Sequence, residues 1–129
     1  MRTEIKSGEE LFAVIVDLES IQEGAFPVTD PRGSIQLLLM KRKSGHVVAK
    51  HSHKKITKTT QQPQEAIVVI KGTIEASIFD EKGDLIEKKG VTAGQCLLII
   101  QGAHEVRVME DALMYAFKDG PFVDDTIPL

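Results

Sequence analysis

At 129 residues, with 42% hydrophobic and 27% charged side chains, the chain has the make-up of one soluble globular domain able to bury its own core. Its single cysteine, Cys96, excludes an intrachain disulfide, and its first apolar run, Leu11 to Val16, is too short for a signal sequence or a membrane span, so a cytoplasmic location is expected. The net charge of −3 is unevenly spread: from Pro31 to Gln64 there is no acid, while Arg32, Lys41, Arg42, Lys43, Lys50, Lys54, Lys55 and Lys58 supply half of all Lys and Arg. That stretch reads either as a solvated basic surface or as a field that attracts an anionic small molecule. Nucleic acid fits poorly, because no aromatic residue lies there to stack on bases.

In chain order, a turn or so of helix is possible near Ser7–Leu11, and β-type runs follow. Strands are expected at Leu11–Val16, Ser34–Lys41, His46–His51, Glu65–Lys71, Thr73–Phe79, Leu85–Lys88, Gln95–Ile100, Glu105–Met109 and Ala112–Lys118, each bounded by turn-forming residues. Asp80 to Asp84 between two apolar runs reads as a hairpin turn. Lys54–Gln64 is polar, contains Pro63 and reads as a long loop. Many short strands with close turns predict an all-β sandwich or barrel. Runs such as Ala66–Ile70 and Cys96–Ile100 are apolar on both faces, which asks for a second layer or a partner subunit, and a homodimer is expected.

Three of the four histidines and one glutamate stand out by position. His51 and His53 are spaced i, i+2, so on a strand both imidazoles share a face, whereas His46 and Ser52 have the opposite parity. Glu65 opens an apolar strand, and His104 opens another after the turn Gln101-Gly102-Ala103. Imidazole suits Zn, Cu, Fe and Ni, and a carboxylate extends the choice to Mn. Cys96, inside an apolar run, is expected to be an inert core thiol. No dinucleotide, P-loop or nucleophile-elbow fingerprint is present.

Glycines frame these residues. Gly45 precedes His51 by six positions, Gly72 follows Glu65 by seven, and Gly94, Ile100 and Gly102 lead to His104. Across about residues 34 to 118 this pattern resembles the two motifs of the cupin superfamily. Two departures are a gap of eleven residues between His53 and Glu65 and Ile100 where proline is usual. The resemblance implies one cupin domain over residues 1–129, an antiparallel jelly-roll barrel. It also implies a divalent metal (Zn, Fe, Mn or Ni) held by His51, His53, Glu65 and His104. The ending Lys118-Asp119-Gly120-Pro121-Phe122 resembles the Lys-Gln-Gly-Pro-Tyr ending of small bacterial cupins, some associated with sugar pathways. On residue grounds, Gly-Pro would end the last strand and send the tail across the barrel.

Two functions follow from that resemblance. One is a metal-dependent enzyme acting on a small polar or anionic molecule, sugar-related compounds among the candidates, with Lys54, Lys55 or Lys58 receiving the anionic group. The other is a non-catalytic binding or sensing module whose metal is structural or absent. Neither involves nucleic acid or a membrane, and the reaction class is not written in the sequence.

Overall fold

Two long apolar runs shape the molecule. In the computed structural model, which describes residues 2–129, they form β5 (Glu65–Phe79) and β8 (Ala103–Lys118), paired antiparallel from Glu65–Lys118 to Phe79–Ala103. The other edge of β5 takes β7 (Gln95–Ile99) beside its first residues and β6 (Leu85–Thr92) beside its second half. Beyond β7 lie β2 (Glu10–Asp17) and β1 (Arg2–Ser7). This six-stranded antiparallel sheet curls into a half-barrel, and β3 (Gly24–Pro27) and β4 (Leu38–Lys41) form a separate two-stranded sheet. Among the described residues there is no helix, so none is long and apolar enough to cross a membrane. The fold is all-β, as the turn-bounded apolar runs predict.

Curling depends on Gly72. The β5–β8 register slips repeatedly between Val69 and Ile74. Gly72 sits in that bulge at φ +83°, where a Cβ would collide with the Asp111 carbonyl oxygen and lie 2.9 Å from the Ala112 Cα. A bulge bends the strand that carries it and increases its twist. The two strands expected on either side of Gly72 are therefore one bent strand, and the same holds for the two expected within β8.

Each face of the sheet buries an apolar cluster. Inside the curl lie Ile5, Phe12, Ile15, Ile67, Val69, Ile74, Ile78, Val91, Leu97 and Ile99. On the outer face Val14, Val16, Ala66, Cys96 and Leu98 are covered by Val28, Ile35, Leu37 and Leu39. The second layer that the doubly apolar strands demanded is thus supplied in part by the chain itself. Burial pushes the Cys96 thiol up to about 11, which keeps it protonated and unreactive at neutral pH, the inert role expected of it.

Several expectations fail locally. Ser7–Leu11 is not helical: Gly8 and Glu9 turn the β1–β2 hairpin. Ser34–Lys41 contributes only Leu38–Lys41 as strand. His46–His51 is not a strand; residues 42–64 have no ladder, and every residue from 42 to 63 is exposed. The β-branched Val47-Val48 pair suits a strand, but no neighbouring strand in this chain pairs with it. The tail is also not packed across the barrel, since the residues after Asp119 are all exposed. The Asp80–Asp84 turn forms as expected, with Asp80 Oδ1 accepting from the amides of Lys82 and Asp84, each at 2.9 Å.

Candidate metal site

The register that builds the inner core also places Glu65. It pairs with Ile99, whose side chain lies inside the curl, and successive residues of a strand alternate faces, so the carboxylate points inward with Ile67 and Val69. His104 reaches the same region from the other end of β8. The turn after β7 holds it there: the amides of Ile100 and Gln101 donate to the Phe12 carbonyl, and Gln101 Nε2 donates to the Leu11 carbonyl at 2.9 Å. The outcome is a contact between residues far apart in sequence, His104 Nε2 lying 3.2 Å from Glu65 Oε2.

The electrostatics of the pair favour an ionised carboxylate. The hydrogen bond from His104 holds Glu65 below the usual carboxylate range, against the opposing effect of partial burial, and the neighbouring positive charge of Lys118 adds to it. Side-chain exposures of 20% for Glu65 and 33% for His104 leave the pair reachable from solvent.

Gln64 is a neighbour that sequence reasoning missed. Its side-chain oxygen accepts from the Ile35 amide at 3.1 Å, and its side-chain nitrogen donates to the Ile100 carbonyl. Its own amide donates to Asp119 Oδ1 at 2.9 Å. Gln64 therefore ties the entry of β5 to the turn before His104 and to the end of β8. The available signal was the Lys118-Asp119-Gly120 ending, whose Lys118 pairs with Glu65 and whose Asp119 grips Gln64.

His51 and His53 lie elsewhere, in the exposed segment 42–63. Their rings meet edge to face with centroids 5.1 Å apart. His51 Nδ1 is 2.7 Å from the Ala49 carbonyl oxygen. A carbonyl can only accept, so Nδ1 is the donor in this contact, and Nε2 is the ring nitrogen that a metal would take. Lys54, Lys55 and Lys58 are exposed on the same segment. Of the four expected ligands the chain thus brings together Glu65 with His104 and His51 with His53. Among the described residues no group of three or more His, Cys, Asp or Glu converges within the single chain.

The donor chemistry of the inner pair suits a divalent ion. A carboxylate and an imidazole are both ordinary ligands of such ions, and an ion between Glu65 Oε2 and His104 Nε2 would replace the hydrogen bond that now joins them at 3.2 Å. A groove of about 300 Å³ lies on the other face of the sheet, between Val14 and Leu98 and the Val28–Asp30 segment, with Arg2 and Gln64 at its rim. It does not contain the pair. No protein-family model, curated protein or solved structure matches this chain.

Proposed function

We propose that the chain is a metal-binding protein of the cupin class, its barrel a jelly roll completed around the curled sheet. More particularly, it is a metal-dependent enzyme acting on a small polar or anionic molecule. The observation that carries this reading is the Glu65–His104 pair, held at 3.2 Å on the inner face by residues distant in sequence. Glu65, His104, His51 and His53 are the ligands, and Zn, Fe, Mn and Ni all accept such donors. Solvent reaches both inner ligands, which favours an open, catalytic coordination position over a closed structural one. A bound ion there supplies Lewis-acid polarisation of an oxygen-bearing substrate. Lys54, Lys55 and Lys58 attract the anionic part of that substrate to the site.

Working as a homodimer is part of the same reading. The outer cluster is covered within the chain, but Leu113, Tyr115 and Phe117 remain 55–63% exposed beside it, on the unpaired side of a 16-residue strand. Long apolar edge strands invite pairing with another chain. Calorimetric titration of chelator-treated protein with Zn²⁺ and Mn²⁺ tests the metal assignment. Glu65→Gln keeps an acceptor for His104 but removes the charge, and affinity is expected to fall about 100-fold or more, since loss of outer partners alone costs 10–100-fold. Equal affinity in that variant would remove Glu65 from the site.

A further inference from the structure

Two half-sites stand apart on this chain, and we infer that they meet between chains: His51 and His53 of one copy complete the Glu65–His104 pair of a second copy. The inference rests on the metal-site reading above and adds where the missing ligands come from.

The first support is the build of the 42–63 segment. Its roots are fixed on its own barrel: Ser34 Oγ donates to the Gln62 carbonyl at 2.8 Å, and Gln64 is clamped as described. At the other root the Lys41 ammonium donates to the Ile21 carbonyl. Between those anchors every residue is exposed, including Val47, Val48 and Ile56 at 63–77%. The histidines are exposed, and their hydrogen bond and ring contact lie within their own segment, to Ala49 and to each other. Such a projecting arm, with apolar β-branched residues and a backbone outside any ladder, has the form of an element exchanged between identical subunits.

Charge is the second support. The arm, residues 42–63, carries six cations, Arg42, Lys43, Lys50, Lys54, Lys55 and Lys58, and no acid. The other ten Lys and Arg are set against all 19 Asp and Glu, so the rest of the chain carries −9. A strongly basic arm and an acidic body attract each other, and complementary fields set partner and register. Third, the body offers a surface for a second copy. Beside the half-barrel, β8 leaves one edge unpaired, with Leu113, Tyr115 and Phe117 exposed along it. The inference requires that a dimer covering this strip carry the arm of each copy to the barrel of the other.

Mixed dimers decide the matter. One variant lacks the arm ligands (His51→Ala with His53→Ala) and the other lacks the inner pair (Glu65→Ala with His104→Ala). Each is given a different tag, the two are co-expressed, the mixed dimer is purified through both tags, and its Zn content is measured after dialysis against Zn²⁺. In a shared site, the intact arm of one chain meets the intact pair of the other. The mixed dimer is then expected to hold about half the wild-type zinc, while each variant alone holds none. A mixed dimer without zinc, beside a zinc-loaded wild type, means that the arm folds onto its own barrel, and the inference is overturned. Failure to isolate any dimer overturns it equally. A wild type that binds no zinc instead defeats the metal reading itself. The conservative pair Glu65→Gln with His104→Gln replaces the alanine variant if circular dichroism shows that one unfolded.

Discussion

Replacing Gly102 with alanine is expected to destabilise the protein by about 3 kcal/mol, from left-handed backbone strain of about 1–2 kcal/mol and overpacking of a similar size. Gly102 sits at φ +78° in the turn between β7 and β8. A Cβ there would collide with the Phe79 carbonyl oxygen and stand 2.8 Å from Phe12 Cδ1. Neither neighbour can yield cheaply. Phe79 ends β5 in ladder contact with Ala103, and Phe12 is buried in the inner core and also receives the turn's amides at its carbonyl. The control is Gly83→Ala, at φ +89° with nothing within 4 Å of the added carbon, which is expected to cost only the strain, about 1–2 kcal/mol. Denaturant unfolding of both variants measures the difference. Equal losses would show that the turn before His104 is not tightly packed.

The sequence carried most of the sheet because its strands bury apolar residues in runs or alternation. Cys96–Ile99 and Ala66–Val69 are legible for that reason, as is the Asp80–Asp84 turn. β1 was missed because Arg-Thr-Glu-Ile-Lys-Ser offers one buried anchor, Ile5, and β3 because it is four residues long and ends in proline. Gly72 read as a break because a glycine between two apolar runs looks the same whether it ends a strand or bends it. His46–His51 shows the opposite error. Val47 and Val48 have strand propensity, yet a strand exists only where a ladder partner is present, and propensity does not report partners. Half of the candidate site was legible in the same sense: Glu65 and His104 meet because both open strands whose register is set by buried neighbours. The position of His51 and His53 has no such constraint, since nothing around them is buried.

Replacing His51 with alanine is expected to separate metal binding from stability. The side chain is exposed, and its contacts are the Ala49 carbonyl and the His53 ring, both in the same segment. Its loss should leave the unfolding free energy within about 0.5 kcal/mol of wild type, as for other exposed positions. Metal affinity should nevertheless fall by about 100-fold or more, because a direct ligand matters more than the outer partners whose loss costs 10–100-fold. Paired denaturation and metal-competition measurements on one preparation read both effects. A variant that loses stability but keeps its metal would reverse the roles assigned to this residue.

On the reading proposed above, His51, His53, Glu65 and His104 hold a divalent ion. Elemental analysis of the protein purified without added metal tests it most directly. A transition metal at about one ion per chain is expected, removed by chelation and restored by Zn²⁺ or Mn²⁺. A wild-type protein that carries no such metal, and takes up none after dialysis against each of Zn²⁺, Mn²⁺, Fe²⁺ and Ni²⁺, would contradict it.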